Sequence, residues 1–228
     1  MAFTIPNPFR IFNPYFDIYT GGKQRPVFFD IDETCPELRN FEHNIEAIQH
    51  ELDAILPLKI PRYHEVDPWQ YKISGAIDPD KDWKIFLLYS MGEKPAANRA
   101  LCPETTALLD SIPNLLQGFF SILDPGKSIP AHNGPYRGYL RYHLGLRIPS
   151  TNPPQIRVKD QFYTWQQGES ILFDDSWSHE VINKSQETRV VLIVDVLRPM
   201  PSAPHRVNLL IHDLFGRLYG KKLMKLFR

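Results

Sequence analysis

Two histidines in this chain could hold a metal ion. His132 lies in the stretch Ala131-His-Asn-Gly-Pro135, which reads as a turn ahead of a strand, and His179 opens another strand 47 positions later. Imidazoles carried at strand ends of a rigid barrel are a common way to hold a redox-active divalent ion, and they suit Fe, Cu, Ni and Zn alike. The segment after His132 adds donors. In Gly138-Tyr-Leu-Arg-Tyr-His-Leu-Gly-Leu146 alternate side chains face one side, so Arg141 and His143 share a face with Tyr139 and Gly145. Two such groups are costly to bury without an anionic partner. Arg189 repeats the oddity. It heads Val190-Val-Leu-Ile-Val194, apolar on both faces, so its guanidinium must meet something acidic. An internal acid such as Asp175 or Asp195 would meet that need, and so would a bound carboxylate.

The elements that must position these groups are legible as patterns. Residues 1–26 are rich in Pro, Asn and Gly and read as an irregular arm, and Pro26-Val-Phe-Phe-Asp30 as a short extended segment. Thr34 with Glu37 makes a capping box, and Leu38, Phe41, Ile45, Ile48, Leu52 and Ile55 follow at steps of three and four, predicting one amphipathic helix closed by Pro57. Trp83–Tyr89 reads as a strand and Pro103–Ser111 as a short helix. From Leu115 the period changes to two. Strands are predicted at 118–123, 138–147, 156–163, 170–173, 179–183 and 188–197, separated by Asp124-Pro-Gly126, Asn133-Gly-Pro135, Asn152-Pro-Pro154 and Gln167-Gly-Glu169. Six short strands at this spacing predict a sandwich or jelly-roll barrel.

Composition agrees with one structural domain. The chain has 228 residues, 43% of them hydrophobic and 23% charged, which suits a single β-rich unit. Its 21 prolines argue against a helical bundle. The expected organisation is an N-terminal arm and mixed elaboration over 1–114, a catalytic core over 115–200 and a basic amphipathic helix over 201–228. Formal charge is zero overall, yet His205–Arg228 carries six Lys and Arg against Asp213 alone. No basic patch interleaved with aromatics points to nucleic acid. Cys35 and Cys102 form no disulfide framework and no CxxC pair. There is no signal-peptide-like apolar start and no membrane-spanning run, so a cytoplasmic protein is expected, with peripheral contact to the inner face of the membrane as its reach.

Together these residues resemble a family. Ser121 with Pro125-Gly126, His132-x-Gly134-Pro135, Leu140-Arg-x-His-Leu-Gly-Leu146, Trp165, Phe173-Asp-Asp-Ser176, His179-Glu-Val181, Arg189 and Val194-Asp-Val196 are similar to the aspartyl/asparaginyl β-hydroxylases in order, spacing and type. Upstream, Ala100-Leu-Cys-Pro-Glu-Thr-Thr-Ala-Leu-Leu109 with Ser111-Ile-Pro113 resembles the lipid A 2-hydroxylase branch. The resemblance implies a mainly β fold with flanking helices, a double-stranded β-helix of the jelly-roll, cupin-like kind. It implies a dioxygenase that uses Fe(II), 2-oxoglutarate and O2 to hydroxylate an unactivated C–H bond. By that resemblance His132 and His179 ligate iron, and Arg189 binds the distal carboxylate of 2-oxoglutarate. Arg141, His143 and Ser121 contact the cosubstrate, and Asp175 stands behind the metal, bonding a metal-bound water. Such oxygenases usually place a carboxylate two residues after the first His. Here Gly134 stands there, as in the aspartyl/asparaginyl hydroxylases and unlike the Asp of the lipid A branch. The substrate is accordingly a lipid acyl chain, an Asp- or Asn-type residue, or a small molecule.

Rival readings come from other classes. A β-barrel that binds metal without catalysis is one. Phe28-Phe-Asp30-Ile-Asp32-Glu-Thr34 also mimics the DxDxT of aspartyl-phosphate phosphatases, but those need alternating β and α units, and acids beside a helix start have an ordinary electrostatic reason. The tail Asn208–Arg228, with Leu210, Leu214, Phe215 and Leu218 among its bases, would lie on an anionic membrane or pack on its own barrel.

Overall fold

A computed structural model describes residues 3–4, 8–67, 80–216 and 220–221. Trp69 lies outside them, as does much of the C-terminal basic run. Among the described residues eleven strands form two sheets. They are β1 (Phe3–Thr4), β2 (Phe28–Phe29), β3 (Trp83–Ser90), β4 (Leu115–Leu123), β5 (Ile129–Asn133) and β6 (Tyr139–Arg147). There follow β7 (Gln155–Val158), β8 (Gln161–Thr164), β9 (Ser170–Phe173), β10 (Ser178–Ile182) and β11 (Arg189–Leu197). One sheet runs β1-β5-β10-β7-β8 and the other β2-β9-β6-β11-β4-β3. The two face each other as a double-stranded β-helix, the jelly roll that the strand spacing implies.

The six-stranded sheet is buried on both sides, which explains why β11 reads as apolar throughout. Its outer side chains, among them Phe120, Leu140, Tyr142, Leu144, Leu192 and Val194, pack against Leu38, Phe41, Ile48, Leu52 and Ile55 of the helical layer. Its inner side chains, including Trp83, Phe119, Ile171, Phe173, Val191 and Ile193, meet Ile129, Ile156, Val158 and Val181 of the five-stranded sheet. The molecule is thus helix on sheet on sheet.

Several expectations need correction. The sheets recruit β1, β2 and β3 from the segment read as elaboration, and β3 pairs with β4 along its length, so no boundary falls at residue 114. The arm contains a helix, Asn13–Thr20, stopped by Gly21 at a φ of 93°. His132 lies in strand β5, not in a turn. The strand expected over 156–163 is two, because Lys159 turns at a φ of 58° between β7 and β8. The amphipathic stripe after Thr34 is buried as read, but its helix is broken. Asp30, not Thr34, caps the first turn by accepting from the Glu33 amide, and Asn44 interrupts the run between Arg39–His43 and Ile45–Ile55. Asp30 and Asp32 are exposed, and Asp32 pairs with Arg39, so neither enters a pocket.

The helix Pro103–Ser111 is held from a distance. Its first amides lack partners within the helix, as in any helix. The buried carboxylate of Glu51 accepts from the Glu104 amide at 2.6 Å, the Thr105 amide at 2.9 Å and the Thr105 hydroxyl at 2.6 Å. The negative charge also suits the helix N-terminus. At the other end Leu109 lies so close to Gly118 of β4 that a Cβ there would fall 2.5 Å from its methyl carbon. Glu51→Ala strands three donors, two of them buried, and should lower unfolding free energy by about 2–4 kcal/mol. Glu51→Gln should lose less, which urea titration of the two variants will measure.

Candidate metal centre

A β-bulge brings the two histidines together. His179 pairs with His132 across β10 and β5, and Val181 pairs with Ile129, so three residues of β5 cover two of β10. The extra residue returns His132 to the inward face on which Ile129 lies. Without it, period two would turn His132 away from the core. The imidazoles then stand 4.1 Å apart between ring centroids.

Each ring is held by its own strand. His132 Nδ1 lies 2.8 Å from the Pro130 carbonyl, and His179 Nδ1 lies 3.0 Å from that of Trp177. A carbonyl only accepts, so both Nδ1 atoms carry the hydrogen and both Nε2 atoms keep a lone pair, the state a metal ligand needs. Burial, with His179 nearby, pushes the His132 imidazole well below its ordinary range, and burial pushes His179 down to about 4. Among the described residues no group of three or more His, Cys, Asp or Glu could hold a metal.

Gly134 explains that arrangement. A Cβ at residue 134 would fall 2.3 Å from Oδ1 of Asp175. The space that a third ligand's side chain would need is filled by the Asp175 carboxylate, which arrives from the β9–β10 connection. The Gly134 amide donates to the Asp175 carbonyl at 2.9 Å, locking the two segments together. Asp175 Oδ2 accepts from the Tyr139 hydroxyl at 2.7 Å and pairs with Arg141 Nη1 at 3.1 Å. Its Oδ1 is buried without a partner. Burial raises this carboxyl, against the pull of Arg141.

Arg141 is placed on the predicted inward face but not as a free cation. It sits opposite Asp195 in the β6–β11 register, and its Nε and Nη2 fork that carboxylate at 2.7 Å each. With Asp175 on Nη1, the guanidinium is matched by two acids. This settles the internal alternative for Arg189, because Asp175 and Asp195 belong to Arg141.

Arg189 is 1% exposed, and among the described residues its Nε and Nη2 have no hydrogen-bond partner. Nη1 reaches Ser121 Oγ only at 3.5 Å, while that oxygen accepts from Trp83 Nε1 at 3.0 Å. The guanidinium carbon lies 4.0 Å from the Trp165 ring centroid, a cation–π contact. Burial alone lowers Arg189 to about 9, so it remains charged at neutral pH. His143 is buried as well, between Trp165 and Phe173, and neither ring nitrogen has a partner. Burial, with Arg189 nearby, holds it neutral. A natural interior rarely leaves such donors unmatched. Ser121, His143 and Arg189 are the residues that could hold an anion here.

Sequence reading had singled out the seven site residues but not their supports. Trp165 was visible only as a motif residue. Tyr139 was read only as sharing the face of Arg141, and Asp195 as an acid for Arg189, whereas the structure gives Tyr139 to Asp175 and Asp195 to Arg141. A buried neighbour, Asp174, accepts from Arg25 Nε at 2.8 Å, pairs with Arg198, and takes the Ser176 amide at 2.9 Å. It fixes the turn that presents Asp175.

The family model for aspartyl/asparaginyl β-hydroxylase matches residues 42–199. The chain is 39% identical over 184 residues to an ornithine lipid ester-linked acyl 2-hydroxylase of Rhizobium tropici, covering 79% of this chain and 64% of that protein. It is 35% identical over 133 residues to the human aspartyl/asparaginyl beta-hydroxylase, covering 56% of this chain and 17% of that protein. With human aspartate beta-hydroxylase domain-containing protein 2 it shares 30% over 200 residues, 80% of this chain and 53% of that protein. The chain therefore spans less than two thirds of the length of each of these relatives. The matched stretch holds all the groups described above from His132 to Arg189, and on that match the chain belongs to the aspartyl/asparaginyl β-hydroxylase family.

Proposed function

We propose that this protein is an Fe(II)- and 2-oxoglutarate-dependent hydroxylase whose substrate is a lipid acyl chain. One observation carries the reading: two buried imidazoles stand 4.1 Å apart with each Nδ1 tied to a backbone carbonyl, in a barrel that also buries Arg189 with no acidic partner among the described residues. A module that merely held a metal would have no use for that second feature. The donor set fits the group. His132 and His179 would hold the iron, leaving coordination positions for other ligands. The orphaned nitrogens of Arg189, with Ser121, would take one carboxylate of 2-oxoglutarate in a two-pronged bond, and His143 would donate to the cosubstrate as well. Bound together with O2, iron and 2-oxoglutarate supply the oxidising power, yielding succinate, CO2 and one oxygen atom for a C–H bond.

The remaining residues orient and exclude. Arg141, neutralised by Asp195 and Asp175, brings no net charge and acts as a strut that fixes the Asp175 carboxylate beside Gly134. Unpartnered Oδ1 of Asp175 is placed to accept from a water near the imidazoles. Trp165, Phe173 and Val181 keep the surroundings dry, which strengthens each charged contact. The acyl-chain assignment rests on likeness to the Rhizobium tropici protein, at 39% identity over 184 residues.

Three outcomes test this. His132→Ala or His179→Ala should abolish turnover of 2-oxoglutarate and weaken Fe(II) binding sharply, read by anaerobic calorimetry; parent-like iron binding in both variants would refute the centre. Arg189→Ala should raise the 2-oxoglutarate requirement by at least about 30-fold, the equivalent of roughly 2 kcal/mol, with Fe(II) affinity nearly unchanged. Arg189→Lys should also be impaired, since a point charge cannot reproduce the fork. The third outcome concerns pH. The folded metal-free protein keeps His132, His143 and His179 neutral below 6.5, where the unfolded chain protonates them. The unfolded state then binds more protons, so stability falls as pH drops from 6.5 toward about 4, by at most about 1.4 kcal/mol per histidine per unit. A metal-free stability flat across that range would mean the imidazoles are not held neutral.

A further inference from the structure

The helix Ser202–Ile211 is bolted to the site strand. Asn208, fully buried, donates to the Gly138 carbonyl at 2.6 Å and accepts from the Tyr136 hydroxyl at 2.5 Å. Tyr136 also meets Phe9 and Phe16 of the N-terminal segment at 5.5 and 5.3 Å between ring centroids. Phe16, Tyr136, Tyr139 and Ile211 thus share one apolar cluster. Both segments have spent their apolar faces on it, yet both keep large apolar side chains in water. Leu210 is 58% exposed and Leu214 56%, with Val207 one turn earlier, and Ile11 and Ile18 are 73% and 74% exposed. Apolar side chains left in water on two segments that pack against one buried cluster mark an interaction surface.

Charge selects the occupant. Arg206, Lys221 and Lys23 are exposed in these same two regions, and His205–Arg228 carries a balance of +5. Apolar side chains amid bases suit an anionic lipid surface, where burial in the interface and attraction to headgroups add. A neutral apolar protein partner would have no use for the bases. The surface also has a line to the chemistry. Tyr139 belongs to the cluster beneath it and bonds Asp175, which abuts Gly134 beside His132.

We infer that Ile11, Ile18, Val207, Leu210 and Leu214, with the neighbouring bases, form a docking surface for an anionic bilayer, which holds the protein on the membrane that contains its substrate. The last clause rests on the lipid acyl reading above; the docking itself does not.

Sedimentation of the full chain with vesicles tests it. With phosphatidylglycerol in phosphatidylcholine at about 50 mM salt most of the protein should pellet, and raising salt to about 0.5 M should release it several-fold, as screening requires. Leu210→Gln with Leu214→Gln should lower the partition by about tenfold, with unchanged far-ultraviolet circular dichroism and unchanged 2-oxoglutarate turnover in solution. No pelleting at low salt, equal pelleting with pure phosphatidylcholine, or parent-like pelleting of the double variant overturns the docking surface. So does a dimer in solution that the double variant converts to monomer, since the face would then be a self-interface. Loss of solution turnover in the parent would strike the catalytic reading and leave the docking result standing.

Discussion

A guanidinium taken out of water must be matched, and the arrangement of this barrel's interior follows from how its arginines are matched. Arg141 is forked by Asp195 across adjacent strands and braced by Asp175. Arg25 and Arg198 share Asp174. Each pairing is buried, and leaving any one partner alone would cost several kcal/mol, roughly 3–5. These acids are therefore committed, and Arg189 is left with Trp165 and a distant hydroxyl. The fold carries this unmatched charge in its driest region, on its most apolar strand. Such a cost persists in a native protein where a ligand repays it.

Backbone irregularity does the remaining work of placement. Regular pairing of β5 with β10 would leave one imidazole in the interior and send the other outside. One extra residue in β5 reverses that. Because the bulge carbonyl of Pro130 is also the acceptor for His132 Nδ1, the feature that turns the ring inward fixes its tautomer too. His179 is treated alike by Trp177, whose own position depends on the turn held by Asp174. Stability and the orientation of the two imidazoles are thus served by the same few hydrogen bonds.

Much of this was legible in the sequence, and the remainder was not for identifiable reasons. Period two placed Arg141 and His143 on the inward face of β6, and the run after Arg189 showed a cation entering an apolar strand. Both are local facts. That Asp195 faces Arg141 is a matter of register between strands 54 positions apart, which no local pattern encodes. His132 read as part of a turn because Pro130, Asn133, Gly134 and Pro135 are turn formers; the strand exists because β10 and β1 pair with it on both sides. Tertiary pairing overrode propensity there. At Asn44 the error ran the other way. A continuous apolar stripe suggested a continuous helix, but burial constrains only the direction of side chains, and a broken rod presents the stripe equally well.

Gly134 and Asp175 contend for one volume, and this constrains how such a centre changes over time. A carboxylate introduced at position 134 cannot enter while Asp175 remains, since even a methyl would overlap its oxygen. Removing Asp175 first leaves Arg141 and Tyr139 short of a partner in the interior. Either change alone meets an obstacle, a clash in the first case and lost partners in the second, so the two positions are coupled. Lineages carrying one solution would be held to it by packing, whatever substrate they came to act on.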